Sequence, residues 1–316
     1  MENKFTDLGS RTQILTTPTQ MGLAAYVYKN YNIPKQFVKP ETVYHYTDAA
    51  GFLGIVTSGR FWATNADFLN DPSEATFALD AVDVFLTEYC KTRPDDANFV
   101  TECKKLLKVR RDEARYVVSF CQDGDLLSQW RGYGKFGAGY ALGFFADQLK
   151  SSPKGGMCYE VDYGTQQLEL ALRDVLGLLR EYASSQGGYR GSHFEFSESV
   201  RYLTLSIKHP KFREEREVRL IFQRALDPAM RDGRDEHRGA TVRYRPRGAD
   251  IVEYLDTPVA FAVPQSKESI PKLPLCKVIV GPGVQFSNNI NSIKALLCRH
   301  GFEKVDVAES KVPFRT

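Results

Sequence analysis

The sequence predicts an α+β fold from the order of its predicted elements, which is a strand, helices, a block of strands, helices and then more strands. The predicted strands and helices do not alternate regularly, as they would in a doubly wound parallel sheet. Two of the predicted strands, 115–121 and 139–145, are nearly continuous apolar runs, which are typical of strands buried on both faces. Hydrophobic residues make up 42% of the 316 residues and charged residues 26%, so the chain can bury a sizeable core.

Along the chain, short segments rich in β-branched and aromatic residues predict strands. These segments are 42–46, 60–64, 115–121, 139–145, 157–163, 217–222, 242–245, 251–255, 258–263, 275–280 and 305–307. Segments with apolar residues at helical spacing predict helices. These segments are 20–30, 49–57, 72–91, 95–113, 126–133, 168–184, 195–206 and 290–299. We expect a loose lead-in over residues 1–40 and a single domain over residues 41–316.

Composition and charge argue against several classes of protein. The net charge of +3 is too small to indicate a nucleic-acid-binding protein by itself. The six cysteines include no Cys-x-x-Cys pair, and no two of the five histidines have the spacing of ligands on one helix face, so no metal site is predicted. No apolar run is long enough to span a membrane, and the N-terminal residues lack the pattern of a signal peptide. We therefore expect a cytoplasmic protein with no membrane partner.

The first candidate site is Tyr44-His45-Tyr46-Thr47, at the end of the first predicted strand. A histidine at a strand end can point into a cleft and form hydrogen bonds with a ribose or a phosphate. The alternative is that His45 fills a position in the sheet and forms its hydrogen bonds within the protein.

The second candidate site is Ser119-Phe120 on a predicted strand, followed by the turn Ser128-Gln129-Trp130-Arg131-Gly132-Tyr133. A hydroxyl, a guanidinium and aromatic rings are the groups that hold a dinucleotide, through hydrogen bonds, pyrophosphate pairing and stacking. The alternative is a capped turn whose tryptophan belongs to the core.

The third candidate site is the charged run that leads into the apolar strand 217–222. Alternation along a strand places Glu217 and Arg219 on one side, together with Glu215 if the strand begins early. A carboxylate at the mouth of a strand can hold a ribose hydroxyl and stabilise a developing cation. The alternative is a solvated charged face.

A further feature is an arginine-rich segment between residues 231 and 247. Its last three arginines, Arg243, Arg245 and Arg247, alternate along a predicted strand and so share one face, with Tyr244 on the other. Such a row of cations can follow the phosphates of a nucleic acid, although a solvated loop would have the same composition.

Several motifs occur in order along the chain. They are Tyr-His-Tyr-Thr at 44–47, Ser-Gly-Arg-Phe-Trp-Ala-Thr-Asn at 58–65, Leu-Ser-Gln-Trp-Arg-Gly-Tyr-Gly at 127–134 and Phe-Arg-Glu-Glu-Arg-Glu-Val-Arg-Leu-Ile at 212–221. With these motifs, residues 41–316 resemble a widespread bacterial family of unknown function. That family is in turn distantly similar to the ADP-ribosyltransferase fold, which implies a mixed, split β-sheet core flanked by helices.

The resemblance implies an NAD-dependent ADP-ribosyltransferase, and more narrowly a bacterial toxin or phage-defence effector. It implies NAD binding by His45, Tyr46, Thr47, Ser128, Trp130, Arg131 and Tyr133, and it implies catalytic roles for Glu217 and Glu215. In this scheme Glu217 acts at the ribose of NAD, and Glu215 orients a nucleic-acid or protein acceptor. One alternative is a non-catalytic module that binds a nucleotide or a nucleic acid. Another is a phosphodiesterase or nuclease.

Overall fold

A computed structural model of the chain describes residues 41–69, 73–108, 113–150, 157–186, 192–225, 240–258 and 273–313. The predicted helix 20–30 and residues 259–263 of a predicted strand lie outside these ranges. The contacts group the chain into two compact units. We call the first the helical unit, and its described residues are 78–108, 164–186 and 192–205. We call the second the sheet unit, and it contains the other described residues. The single domain over 41–316 stays a prediction.

The described residues form strands and helices at the following positions. The strands are β1 (Thr42–Thr47), β2 (Arg60–Asn65), β3 (Glu113–Cys121), β4 (Tyr140–Phe145), β5 (Met157–Glu160), β6 (Asp162–Tyr163), β7 (Ile207–Lys208), β8 (Glu217–Ala225), β9 (Thr241–Arg247), β10 (Asp250–Pro258), β11 (Leu275–Val280) and β12 (Asp306–Glu309). The α-helices are α1 (Ala49–Ser58), α2 (Ser73–Thr92), α3 (Ala97–Lys108), α4 (Leu127–Gly132), α5 (Ala146–Lys150), α6 (Gln166–Gln186), α7 (Ser192–Thr204) and α8 (Phe286–Arg299). No helix in these ranges is both long enough and apolar enough to cross a membrane.

The main sheet is mixed, and the predicted α+β class is confirmed. Its strands follow the order β12-β11-β4-β1-β3-β2-β10-β9, with β8 and then β5 attached to β3. Strands β11 and β12 are parallel, whereas the other pairs in this sheet are antiparallel. Short strands β6 and β7 form a separate parallel pair.

The sheet is split along one edge of β3. Strand β8 pairs with the whole length of β3, so β1 and β2 both lie against the opposite edge. Strand β1 reaches that edge at Cys121, and β2 reaches it at Tyr116 and Val117. Residues 118–120 between these pairings have β8 as their strand partner. The half of the sheet that contains β1 and the half that contains β2 therefore separate at the middle of β3.

The core of the sheet unit explains why helices cover this sheet. Helix α1 buries Phe52, Ile55 and Val56, and α8 buries Ile293 and Leu297, in one cluster with strand residues. A smaller cluster packs around the fully buried Trp130 of α4. Asp48 caps α1 by accepting a hydrogen bond from the Gly51 amide, and Gly59 ends it in the left-handed conformation.

The helical unit has a core of its own. Helices α6 and α7 pack together, as do α3 and α7. Helix α6 contributes a stripe of buried residues at helical spacing: Leu168, Ala171, Leu172, Val175, Leu176 and Leu179. Such a stripe is the expected signature of a helix that buries one face.

Two predicted elements differ clearly from the observed ones, and the short elements β7 and α5 were not predicted. The predicted helix 95–113 is a 3₁₀ turn, Pro94–Asp96, followed by α3, and Glu113 already belongs to β3. The predicted strand 157–163 is two strands, because β5 pairs with β8 whereas β6 pairs with β7. Strand β7 was not predicted, since two residues are too few to produce a periodic pattern.

Candidate functional site

A cleft of about 670 Å³ opens in the sheet unit where the sheet splits. Its floor includes residues 117–119, from the middle of β3. The end of β1 contributes His45, Tyr46 and Thr47, and the start of β8 contributes Glu217 and Arg219. The separation of β1 and β2 along β3 thus creates the opening into which these side chains project.

His45 is held in one orientation at this split. Its Nδ1 atom lies 2.9 Å from the Ser119 carbonyl oxygen, in the stretch of β3 between β1 and β2. Its ring packs edge-on against Phe61 and Phe120, with centroids 6.3 Å and 5.9 Å apart. Burial lowers the pKa of His45, and the charge of Arg245 lowers it further, against the opposing effect of the Ser119 hydrogen bond. A neutral ring whose Nδ1–H donates to Ser119 has Nε2 as an acceptor.

Glu217 begins β8 as a buried carboxylate in an ion-pair network. Arg219 donates two hydrogen bonds to it, from Nε to Oε1 at 2.8 Å and from Nη2 to Oε2 at 2.9 Å. Lys208 Nζ lies 3.3 Å from Oε2. The Tyr163 hydroxyl accepts a hydrogen bond of 2.7 Å from the Glu217 amide, which fixes the backbone as well.

The charge of Glu217 is set by these neighbours. Burial by itself raises the pKa of this carboxyl, but Arg219, Lys208 and a hydrogen bond from Ser119 together lower it to about 2. The carboxylate is therefore ionised throughout the neutral pH range, as a group that stabilises a cation must be.

Glu215 lies in the 3₁₀ helix Pro210–Glu215, immediately before β8. Its carboxylate accepts a hydrogen bond of 2.6 Å from Lys208, so one lysine joins both glutamates. Arg216, between them, has a φ of 42° in the left-handed region. This conformation turns the chain so that Glu215 and Glu217 both line a smaller cavity of about 70 Å³.

Tyr46 connects β1 to the loop before α4. Its hydroxyl donates to the Asp123 carbonyl at 2.8 Å and accepts from the Leu126 amide at 3.0 Å. Its ring packs edge-on against Trp130 at 4.8 Å. The hydroxyl thus fixes the loop, and Tyr46 also lines the cleft together with Thr47.

The predicted turn at 128–133 contributes one of its predicted residues to the site. Tyr133, 37% exposed, lines both the cleft and the smaller cavity. Ser128, Trp130 and Arg131 are not among the residues that line either cavity. The Ser128 hydroxyl is buried and has no hydrogen-bond partner in the described part of the chain, and Arg131 is exposed.

Trp130 has a structural position. It is fully buried, and its Nε1–H donates a hydrogen bond of 2.8 Å to Asp125. Asp125 also accepts hydrogen bonds from the Ser310 hydroxyl at 2.5 Å and the Lys311 amide at 2.6 Å. The chain near its C-terminal end therefore helps to hold the loop that leads into α4.

Two glycine-rich segments hold the turn that follows Tyr133. The amides of Gly281 and Gly283 donate to the carbonyls of Gly139 and Gly137, at 2.9 Å and 3.0 Å. A Cβ atom on Gly281 would lie 2.3 Å from the Gly137 oxygen, so only glycine allows this approach. Close packing of the two backbones therefore explains why both segments contain glycines. It also positions Lys135, which lines the cleft with a φ of 47°.

The opposite wall of the cleft belongs to the other half of the sheet. Strand β2 contributes Trp62 and Thr64, and β9 contributes Arg245 and Arg247. The Arg245 guanidinium donates to the Thr64 hydroxyl at 2.9 Å, and the Arg247 guanidinium donates to the Phe68 carbonyl at 2.7 Å. The cleft thus has an acidic and basic network on one wall and arginines with an aromatic ring on the other.

Sequence reasoning assigned no specific role to Ser119 and missed Lys208 as a site residue. Ser119 lies in an apolar strand, and only the split of the sheet directs its carbonyl to His45. Lys208 belongs to a two-residue strand whose pairing with β6 has no periodic signal. Arg219 could be inferred, because alternation along β8 places it beside Glu217.

Comparison with known protein families finds a match to part of the chain. Residues 129–220 match the sequence model of a family described as a protein of unknown function, DUF2971. The match contains Tyr133 and both glutamates, whereas His45 lies outside it. It confirms, for these residues, the predicted resemblance to a family of unknown function. Searches of curated proteins and of solved structures each find no match to the chain.

Proposed function

We propose that the protein is an NAD-dependent ADP-ribosyltransferase. The observation that supports this proposal is that His45, Tyr133 and Glu217, from three distant segments, line one cleft at the split of the sheet. The cleft volume of about 670 Å³ lies within the range of sites that enclose a small-molecule ligand.

The proposed reaction cleaves the bond between the nicotinamide nitrogen and C1′ of the ribose. The bonding electron pair leaves with nicotinamide, which becomes neutral, and the ribose becomes a cation. An oxygen or nitrogen atom of the acceptor then forms the new bond to C1′, and any proton that this atom carries passes to water. Glu217 remains ionised at neutral pH, so its negative charge stabilises the positive charge that develops on the ribose. The surrounding cations hold the carboxylate in a fixed place before the reaction begins.

The other residues of the cleft have roles that follow from their contacts. With Nδ1 at the Ser119 carbonyl, His45 has Nε2 as an acceptor for a ribose hydroxyl. Tyr133 and the buried Gln129 line the smaller cavity, and an aromatic ring and an amide are groups that suit a flat ligand that itself carries an amide. Lys135 offers a cation for the pyrophosphate. In this scheme Trp130 supports α4, and none of Ser128, Trp130 and Arg131 contacts NAD.

The proposal is tested by titration calorimetry with NAD and by an assay for released nicotinamide. Saturable binding together with nicotinamide release and transfer of labelled ADP-ribose is the expected result. Absence of NAD binding would overturn the proposal.

A non-catalytic nucleotide-binding module is a second candidate, favoured by one observation. Both oxygens of Glu217 already accept hydrogen bonds or ion pairs from Arg219 and Lys208, as a purely structural carboxylate would. NAD binding without release of nicotinamide would support this candidate over the enzyme.

We further propose that the protein acts in the bacterial cytoplasm as a toxin or phage-defence effector. All six cysteines are free thiols, as expected in a reducing compartment. Expression of the wild type in a bacterial host is expected to arrest growth, whereas Glu217→Gln is expected to be tolerated. Equal growth with both would contradict an activity-dependent toxin.

A further inference from the structure

The wall of the cleft formed by β9 carries a row of arginines that the proposed reaction does not use. Strand β9 pairs with β10, and Arg243, Arg245 and Arg247 lie on one face of it because side chains alternate along a strand. Neighbouring guanidinium groups in such a row start from Cα atoms about 7 Å apart. Arg245 and Arg247 line the cleft, while Arg243 is 57% exposed outside it. The row therefore runs from the cleft to the open surface.

Arg245 is a half-buried cation whose contacts are neutral. Its guanidinium donates to the Thr64 hydroxyl at 2.9 Å and lies over the rings of Trp62 and Tyr254, at 5.9 Å and 5.5 Å from their centroids. No carboxylate pairs with it among the described residues. Burying a cation without a counter-charge is costly, so an anionic ligand at this position is favourable.

The ends of the row differ from its centre. Arg247 donates to the Phe68 carbonyl, which directs its side chain along the cleft wall. Arg243 forms an ion pair of 2.9 Å with Asp256, which also pairs with Arg60 at 2.6 Å. Each arginine is thus held in place by at least one contact, and the row is preorganised.

Trp62 provides an aromatic surface beside the arginines. It is 36% exposed, lines the cleft, and packs against Tyr254 with ring centroids 5.3 Å apart. An exposed ring next to a row of cations is the combination that binds single-stranded nucleic acids, because a base stacks on the ring while cations follow the phosphates. A duplex keeps its bases stacked on each other and so cannot use the ring in this way.

We propose that Arg243, Arg245, Arg247 and Trp62 bind a single-stranded nucleic acid, which is the acceptor of the ADP-ribose. The acceptor role rests on the proposed transferase activity, whereas the binding itself does not. A single small anion would occupy one or two of these groups, but a polymer can contact the whole row from the open surface to the cleft.

The two tryptophans allow binding to be measured without NAD. Trp130 is fully buried, so the fluorescence of Trp62 is the signal that a bound base can quench. Oligo(U) and oligo(dT) are titrated at several salt concentrations. We expect quenching with an affinity that falls steeply with salt, and removal of two phosphate contacts in Arg245→Gln/Arg247→Gln should reduce the logarithmic salt slope by about 1.4.

Two matched controls separate this site from general charge and surface effects. Lys294→Gln/Arg299→Gln removes two positive charges from exposed positions on α8 and is expected to leave the salt slope unchanged.

Trp62→Leu should weaken binding of a labelled oligonucleotide at least fivefold. Tyr244→Leu, on the other face of β9, should leave it unchanged. Melting temperatures establish that each variant is folded. The variant Arg245→Lys/Arg247→Lys keeps both charges, so it should retain most of the wild-type salt slope that Arg245→Gln/Arg247→Gln loses.

The outcomes distinguish this inference from the proposed function. NAD turnover in a protein that binds neither oligonucleotide at low salt would overturn the inference and leave the transferase intact. Oligonucleotide binding that depends on the arginines, without any transfer of ADP-ribose, would support the binding site and contradict the acceptor role. If Arg245→Gln/Arg247→Gln weakens NAD binding and leaves oligonucleotide binding unchanged, the row binds the pyrophosphate of NAD and the inference is wrong.

Discussion

At the scale of single residues, the contacts of Glu217 determine how its substitution changes the stability of the protein. The side chain is buried and bonded to Arg219 and Lys208, so Glu217→Gln removes one of the negative charges that balance these two cations. We expect the free energy of unfolding to fall by roughly 3 kcal/mol, because a buried ion pair is broken. Chemical denaturation of the variant and the wild type measures this change.

The same variant tests catalysis if it is assayed well below its melting temperature. Loss of the charge opposite the ribose cation should reduce nicotinamide release by about 10² to 10³. Glu215→Gln is the matched control, since Glu215 also pairs with Lys208. If Glu215 orients the acceptor, this control retains nicotinamide release and loses transfer. Wild-type release in Glu217→Gln would exclude a catalytic role for Glu217.

His45 offers a substitution that separates binding from packing. Asparagine can place an amide N–H near the position of Nδ1 and so keep the hydrogen bond to the Ser119 carbonyl, but it lacks Nε2. We expect His45→Asn to weaken NAD binding about 3- to 10-fold, the value of one hydrogen bond of ~1 kcal/mol, with little loss of stability. Calorimetry and melting on one sample measure both quantities. Unchanged affinity would assign His45 a packing role alone.

At the scale of elements, the loop before α4 depends on the hydroxyl of Tyr46. Tyr46→Phe leaves the Asp123 carbonyl and the Leu126 amide without this partner. A loss of about 1–3 kcal/mol in stability and faster amide exchange across the loop are expected. Tyr44→Phe, a neighbouring change on the same strand, serves as the control. Equal stability of the two variants would show that the loop is held by other contacts.

The contact between the two glycine-rich segments is a second test at this scale. Gly281→Ala would place a Cβ atom 2.3 Å from the Gly137 oxygen, whereas Gly283→Ala would meet its nearest atom at 3.3 Å. We expect the first change to destabilise the protein by more than about 1 kcal/mol and to weaken NAD binding, because the turn carries Lys135. The second should have a clearly smaller effect. Thermal melts and NAD titrations compare them, and equal effects would contradict the packing argument.

At the scale of the whole molecule, the shifted groups predict a plateau of stability from about pH 6.5 to pH 9. The pKa of His45 is lowered from 6.5, so its contribution is present above pH 6.5 and is lost as the pH falls. The pKa of Glu217 is lowered from 4.5 to about 2, so its contribution is lost between pH 4.5 and pH 2. Burial raises the pKa of Cys103 and Cys121 from 9.0 to about 12, so their contributions are lost as the pH rises between these values.

Denaturant unfolding across this pH range measures the plateau. Glu217→Gln should flatten the acidic limb between pH 4.5 and pH 2 and leave the alkaline limb unchanged. An acidic limb of the same steepness in the variant would mean that other carboxylates govern acid unfolding.

The sequence determined the class of the fold and most of its elements. The strands of the split sheet are apolar and β-branched, so their patterns identify them locally, as for β3, β8 and β11. The sequence also identified His45 and Glu217 as candidates at the ends of predicted strands, and Tyr133 as a candidate in a turn rich in polar and aromatic residues. Trp130 was a candidate from the same turn as Tyr133, yet it is buried in the core. Composition alone does not distinguish a core tryptophan from one that stacks on a ligand.

Only the tertiary structure decided which of these residues meet. The split at β3 arises because β1 and β2 reach the same edge of one strand at different positions, and that pairing joins residues that are far apart in sequence. The same pairing directs the Ser119 carbonyl to His45 and brings Lys208 to Glu217. Local patterns report how a segment is buried, whereas the partners of a charge depend on long-range packing. The cleft and its charges therefore follow from the folded chain.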